Sequence, residues 1–130
     1  MSLPILDRWS NAVNNHNAQE VLSLYNEGAV LVATFSPNPL NTTEAIRSYF
    51  ENFLSNPGAG VKFNMDSINK QEIAENIIVL SGIYTFLKED DGNTVEVPAR
   101  FTYVVDESSE GQIIHHHSSQ FLLPLIGPYL

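Results

Sequence analysis

The chain has no cysteine among its 130 residues. Disulfides, thiolate zinc sites and cysteine nucleophiles are therefore excluded. Basic residues are also scarce, because six lysines and arginines stand against fifteen acidic residues, for a formal net charge of −9. A charge of this sign repels phosphate backbones and anionic membrane surfaces. We therefore expect neither a nucleic acid nor a membrane as a partner.

Long hydrophobic runs are missing as well. No apolar stretch approaches the roughly 20 residues that span a bilayer, and residues 1–8 lack a basic segment followed by an apolar one. These absences favour a cytoplasmic protein or a processed chain. The composition, with 43% hydrophobic and 16% charged residues, is typical of a soluble globular protein with its own core. The length predicts a single domain over 1–130.

Several catalytic motifs are also absent. The sequence contains no glycine-rich phosphate loop, no Gly-x-Ser-x-Gly nucleophile elbow and no His-Glu-x-x-His metalloprotease pattern. Acyl transfer and phosphoryl transfer lose support accordingly.

The first half of the chain has helical periodicity. Apolar residues at helical spacing within 6–13 and again within 21–25 predict a helical hairpin. A short apolar, β-branched run over 29–35 predicts a buried strand. Polar residues 41–43 then supply helix caps before an apolar stripe over 46–54, which predicts a third helix.

From residue 61 the apolar period changes to two. Val61, Phe63 and Met65 alternate with polar neighbours, and longer strand-like runs follow at 76–88 and 94–106. Turn-forming residues separate these runs, so a meander of antiparallel hairpins is the economical arrangement. We expect an α+β domain in which a strongly bent antiparallel sheet packs against the N-terminal helices and encloses a pocket.

The most distinctive segment is His-His-His-Ser-Ser at 115–119. Successive strand residues point to opposite faces, so His116 and Ser118 share one face while His115 and His117 share the other. The first pair combines a proton-transfer group with a hydroxyl that can orient a substrate.

A metal site is the alternative interpretation of this segment. His115 and His117 could bind zinc from one face of the strand, but a zinc site normally needs at least three protein ligands. A carboxylate could complete the site, yet nothing in the sequence selects one. The third interpretation is that His115 and His117 are simply polar surface or packing residues.

The chain resembles a known family in several segments. These are the N-terminal helix with Trp9, the segments 24–31, 42–50, 82–86 and 99–104, Thr34, and the motif 115–119. Together they resemble the iota-class carbonic anhydrases. This class belongs to the nuclear transport factor 2-like superfamily and is related to the association domain of calcium/calmodulin-dependent protein kinase II.

The resemblance implies a cone-shaped pocket in which carbon dioxide is reversibly hydrated to bicarbonate, without a cofactor in some members. Zinc, held by His115 and His117, is the alternative. Carbon dioxide or bicarbonate would be the partner, and a homodimer or higher homo-oligomer the assembly. The resemblance also leaves open a non-enzymatic module that assembles with itself or binds a small ligand. The implied catalytic residues are Thr34, Tyr49, His116 and Ser118, and the implied substrate-binding residues are Tyr103 and Arg100.

The last ten residues, 121–130, are apolar but contain two prolines. They can neither continue a central strand nor form a long helix. We expect this tail either to fold back on its own domain or to cover a partner subunit. The family pattern has a shorter exit after 119, so the rim of the pocket is where this chain departs from the resemblance.

Overall fold

A computed structural model describes residues 3–121. The nine residues 122–130 lie outside the described part, so the prediction for the apolar tail stays a prediction. The elements, in chain order, are α1 (Pro4–Asn14), α2 (Ala18–Ser23), β1 (Tyr25–Val32), α3 (Thr43–Leu54), β2 (Gly60–Ala74), β3 (Ile77–Asp90), β4 (Asn93–Asp106) and β5 (Ile113–Gln120).

The three helices begin where their sequences supply a start signal. Pro4 occupies the first turn of α1, where its missing N–H has no helical partner to lose. Asn17 caps α2 and Thr42 caps α3, each through a side-chain oxygen that accepts a backbone N–H. The predicted helical hairpin and the predicted third helix are confirmed.

The sheet has the strand order β1-β5-β4-β3-β2. Neighbours from β2 to β5 are antiparallel, whereas β1 pairs with β5 in parallel. The sheet is therefore mixed, whereas the sequence had predicted a purely antiparallel sheet. Turn residues predict only hairpins between consecutive strands. The pairing of β1 with β5 joins segments that are distant in sequence, so no turn signal predicts it.

The first strand is shifted relative to its prediction. It covers Tyr25–Val32 rather than 29–35, because the backbone near Leu24 already pairs with Ile113. After Val32 the chain turns, and Thr34 lies in that turn beyond the strand. This displacement places the Thr34 side chain at the edge of the sheet, not within it.

An irregularity in β2 also departs from the simple alternation. The register with β3 shifts between Asn64 and Asn69, and a bulge of this kind bends a strand and redirects its side chains. Val61 is buried, but Met65 is 54% exposed. The period-two pattern therefore predicts the inward face correctly only up to the bulge.

The helices cover one face of the bent sheet, and the core lies between them. Trp9 of α1 is fully buried at its centre. Its ring lies within 6.4 Å, centroid to centroid, of six other rings. Among residues 3–121, no helix is long and apolar enough to cross a membrane.

Candidate functional site

A small cavity lies between the inner face of the sheet and the helices α1 and α3. Its volume is about 10 Å³, close to the smallest space that holds one water molecule. Most of the lining is aromatic or aliphatic. The polar side chains that line it are Thr34, Tyr49, Tyr84, His116 and Ser118.

The His116 side chain is held on several sides by aromatic residues. It lies in the middle of β5, is 1% exposed and points into the core. The Tyr25 hydroxyl is 2.7 Å from Nδ1 and the Tyr84 hydroxyl is 3.0 Å from Nε2. The Tyr103 ring stacks on the imidazole at 3.9 Å between centroids. Both ring nitrogens are therefore hydrogen-bonded without any solvent contact.

Burial lowers the pKa of His116 to about 3, and the neighbouring His115 and His117 lower it further in the same direction. Desolvation disfavours the charged imidazolium, and within residues 3–121 no carboxylate hydrogen-bonds to the ring to offset it. His116 is therefore neutral across the physiological range.

Two hydroxyls meet at the edge of this cavity. Ser118 is 4% exposed and lies two residues after His116 on the same face of β5. Its Oγ forms a very short hydrogen bond with Oγ1 of Thr34. Burial raises the pKa of the nearby Tyr84 hydroxyl, and the proximity of Ser118 acts in the opposite direction. The Ser118–Thr34 hydrogen bond thus links β5 to the turn after β1.

Tyr49 lies at the helical side of the cavity, on α3, and is partly buried. Desolvation raises the pKa of its hydroxyl to about 12, with a backbone hydrogen bond from Phe35 acting in the opposite direction. Tyr49 is therefore a neutral hydrogen-bonding group at neutral pH, and it lies on the element opposite Ser118.

The four residues expected to be catalytic lie around one cavity, but Arg100 does not join them. Arg100 is exposed and alternates along β4 with the buried Phe101, so it occupies the outer face of the sheet. It pairs across the strands with Ser119 rather than with Ser118. Arg100 therefore lies outside this cavity, and its expected role in substrate binding stays a prediction.

Tyr103, the other expected substrate-binding residue, is on the inner face but is not part of the cavity lining. It is fully buried, and burial raises the pKa of its hydroxyl. That hydroxyl has no hydrogen-bond partner among residues 3–121. Its contact is with the imidazole of His116, through the stacked ring.

The alternative metal ligands lie on the opposite face from the cavity. His115 pairs with Val30 and Val104, and His117 pairs with Val32 and Thr102. Across the described ranges, no group of three His, Cys, Asp or Glu side chains is arranged to hold a metal ion. Within these ranges the two histidines have no third ligand beside them, and they lie on the face of β5 opposite the cavity.

Sequence reasoning missed the partners of His116. Tyr25 is 91 residues away along the chain and Tyr84 is 32 away. Trp9 completes the set by donating its indole N–H to the Tyr25 hydroxyl over 3.1 Å. The only signal was that both tyrosines lie in segments that carry the family resemblance, 24–31 and 82–86. No local pattern pairs either of them with His116.

A larger groove of about 530 Å³ lies elsewhere, between the start of β1 and the turn that precedes β5. It is open, and its chargeable side chains Glu27 and Glu110 are exposed. Within residues 3–121, several buried polar groups converge at the smaller cavity but not at this groove, so the smaller cavity is the candidate functional site.

Comparisons with known proteins bear on the fold and the family. The sequence model described as "Calcium/calmodulin dependent protein kinase II association domain" matches residues 3–121. A Xanthomonas campestris structure named for the same association domain is 32% identical, with a TM-score of 0.80 over 94% of this chain and 85% of that one.

Two more distant structures share the fold. A ketosteroid isomerase-like protein from Erwinia carotovora atroseptica is 10% identical, with a TM-score of 0.76 over 92% of this chain and 93% of its own. An NTF-2 like protein of unknown function from Shewanella oneidensis is 20% identical, with a TM-score of 0.68 over 89% and 93%. Among curated proteins, none matches significantly. The predicted nuclear transport factor 2-like fold is confirmed, while none of these descriptions names a carbonic anhydrase.

Proposed function

The chain belongs to the calcium/calmodulin dependent protein kinase II association domain family, and from this premise we propose that its cavity reversibly hydrates carbon dioxide to bicarbonate without a metal. The observation that carries the proposal is the hydroxyl pair of Thr34 and Ser118. This pair lies beside a cavity with room for about one water molecule and against a neutral, fully buried His116.

Cavity size argues for a very small substrate. Water and carbon dioxide are among the smallest molecules that enzymes use. The cavity volume of about 10 Å³ leaves room for no larger substrate. A steroid is far larger, and ketosteroid isomerase chemistry also requires a carboxylate as the base. Within the described residues no carboxylate lines the cavity. The name of the Erwinia neighbour therefore does not transfer to this site.

The proposed role of the hydroxyls is to position the reactants. Thr34, Tyr49 and Ser118 hold the attacking water in the cavity. Carbon dioxide approaches from the partly exposed side at Thr34, and the water oxygen adds to its carbon. The products are bicarbonate and one proton, which leaves to solvent past the partly exposed Thr34. Positioning of this kind supplies several kcal/mol of rate acceleration.

His116 has a different role from the general base that the motif suggests. A catalytic base works best with a pKa near the operating pH, whereas the pKa of His116 is lowered to about 3. Its two nitrogens are also occupied by Tyr25 and Tyr84. We therefore propose that neutral His116 orients the Tyr84 hydroxyl at the cavity rather than storing the proton.

The rate expected from such a site is modest. Zinc lowers the pKa of bound water from 15.7 to about 7, and a hydroxyl site does not create hydroxide in this way. The proposal thus predicts measurable hydration above the uncatalysed rate, well below that of a zinc carbonic anhydrase.

Stopped-flow carbon dioxide hydration tests the proposal. Ser118→Ala removes a cavity hydroxyl and should lower activity by about tenfold or more. Ser119→Ala is the matched control, since it removes the same group one residue away on the outer face and should leave activity unchanged. Thr34→Val and Tyr49→Phe should each lower activity with the fold intact. An inactive wild type, or a Ser118→Ala variant at the wild-type rate, would refute the assignment.

The same assay separates the two metal alternatives. Activity should survive chelation, with metal analysis of the same sample showing less than one equivalent of zinc. Activity that is lost on chelation and restored by zinc would instead support the His115 and His117 alternative.

A second candidate function is self-association, which the family name suggests. On the outer face of the sheet, Val79 pairs with Val104, and Ile83 lies four residues further along β3. All three are only partly buried in the single chain. We propose that this face contacts a second copy, which would give a homodimer or a higher homo-oligomer.

A further inference from the structure

We infer that Trp9 and Tyr25 hold His116 as the tautomer with hydrogen on Nε2, so that the buried hydrogen-bond chain presents a donor to the cavity. Trp9 and Tyr25 then act as positioning residues. The inference deepens the proposed function, on which it rests for its catalytic consequence, but the assignment of the tautomer stands on the hydrogen bonds alone.

The donor and acceptor roles in this row of hydrogen bonds are set at Trp9. Its Nε1–H donates to the Tyr25 Oη over 3.1 Å, in the interior of the protein. An indole nitrogen can only donate, so Tyr25 must accept this bond. Tyr25 has one hydrogen of its own, and its second partner is Nδ1 of His116 at 2.7 Å.

The two tautomers differ in whether that hydrogen finds an acceptor. If Nδ1 is unprotonated, Tyr25 donates to it, and the hydrogen of Tyr84 is free to point into the cavity that Tyr84 lines. If Nδ1 carries the hydrogen, Tyr25 accepts two bonds and its own hydrogen has no other partner among residues 3–121. A buried donor without an acceptor is disfavoured. The tautomer with hydrogen on Nε2 is therefore selected.

The choice at His116 then propagates to the cavity. Nε2–H donates to the Tyr84 hydroxyl at 3.0 Å, so the hydrogen of Tyr84 is not used by His116. Tyr84 lines the cavity, and its hydroxyl hydrogen is therefore available there.

The opposite tautomer would reverse this result. Tyr84 would then donate to Nε2, and its oxygen would offer only lone pairs to the cavity. Trp9, through Tyr25 and His116, thus decides whether the Tyr84 hydroxyl donates to a ligand in the cavity. The resting cavity suits a ligand oxygen that accepts a hydrogen bond, as in water or bicarbonate.

Nitrogen-15 NMR on the full chain labelled at histidine measures the tautomer directly. The chain has only four histidines, so the signals can be assigned by substitution. We expect His116 to show a protonated Nε2 and an unprotonated Nδ1 at neutral pH. Tyr25→Phe removes the group that selects this form, and the ratio of the two tautomers should fall by roughly fivefold or more.

Tyr103→Phe is the matched control. It keeps the ring that stacks on His116 and removes a hydroxyl that has no partner within residues 3–121, so the tautomer should not change. If Tyr25→Phe fails to fold, the wild-type spectrum alone decides. A protonated Nδ1 in the wild type, or an equal effect of both variants, would overturn the inference.

The outcome is separable from that of the hydration assay. A protonated Nε2 in a protein without hydration activity would keep the inference and remove the proposed function. Hydration activity in a protein with a protonated Nδ1 would do the reverse.

Discussion

The His116 imidazole shows how a single side chain takes its chemistry from its surroundings. Free histidine titrates near neutrality, but this one is enclosed by Tyr25, Tyr84 and Tyr103 and has a pKa lowered to about 3. It is thereby converted from a proton acceptor into a neutral polar link. His117, one residue away, is exposed on the outer face of the sheet.

The titration of His116 predicts a pH dependence of stability. In the unfolded chain this histidine binds a proton below about pH 6.5, whereas in the folded chain it does so only near pH 3. Between these values the unfolded state holds the extra proton. The free energy of unfolding should therefore fall as the pH falls from about 6.5, by at most about 1.4 kcal/mol per pH unit from this group.

Urea unfolding at a series of pH values measures this slope. His116→Gln should lose the part between about pH 6.5 and pH 5, where carboxylates contribute little, and His117→Gln should keep it. Equal slopes in the wild type and in His116→Gln would show that His116 is not buried in its neutral form.

Among the secondary-structure elements, the parallel pair β1 and β5 is the one that assembles the site. β5 carries His116 and Ser118, while β1 begins with Tyr25 and leads into Thr34. Gly111, just before β5, allows the two strands to meet. A Cβ at that position would lie 2.7 Å from the carbonyl carbon of Tyr25, and the three nearest atoms all belong to the backbone of residues 25 and 26.

Gly111→Ala should therefore destabilise the protein by about 1–3 kcal/mol, because backbone atoms cannot move aside as a flexible side chain can. Gly28→Ala is the matched control in the same pair of strands, since its Cβ would meet no atom nearer than 3.8 Å. Chemical denaturation compares the two. A Gly111→Ala variant as stable as Gly28→Ala would contradict the close approach at this junction.

Alternation along β4 separates the two residues that the family resemblance assigns to substrate binding. Strand alternation places residues 100 and 103 on opposite faces of β4, so Arg100 and Tyr103 could not both reach one pocket. The family resemblance grouped them nevertheless. The structure follows the alternation, with Arg100 exposed and Tyr103 buried.

At the scale of the whole molecule, the two faces of the sheet differ in the residues that they carry. The inner face forms the aromatic core and the cavity, whereas the outer face carries His115, His117 and partly exposed aliphatic side chains. Because the two proposed functions involve different faces of the same strands, a substitution on the outer face can test assembly without changing a residue of the cavity.

Val104→Glu supplies that test. If the outer face contacts a second copy, the wild type should sediment above the 14.5 kDa of one chain. The buried carboxylates should then shift the variant towards this mass. Thr43→Glu adds the same charge at the exposed start of α3 and should leave the mass unchanged. A wild type of 14.5 kDa would argue against self-association, and an unchanged Val104→Glu mass would argue against this face.

The sequence by itself determined the elements and their facing. Helix caps, the change of apolar period at residue 61 and the turn residues are local signals, and they predicted the helices, the hairpins and the α+β class. Strand parity alone separated His116 and Ser118 from His115 and His117. These features depend on residues only a few positions apart, so each can be predicted from the short segment that contains it.

Only the tertiary structure decided what His116 can do. Its partners Trp9, Tyr25 and Tyr84 come from a helix and two other strands, and the parallel pairing of β1 with β5 had no local signal. Burial and hydrogen bonding set both the protonation and the direction of the polar chain. Because these forces act between segments distant in sequence, they appear only once the chain is folded.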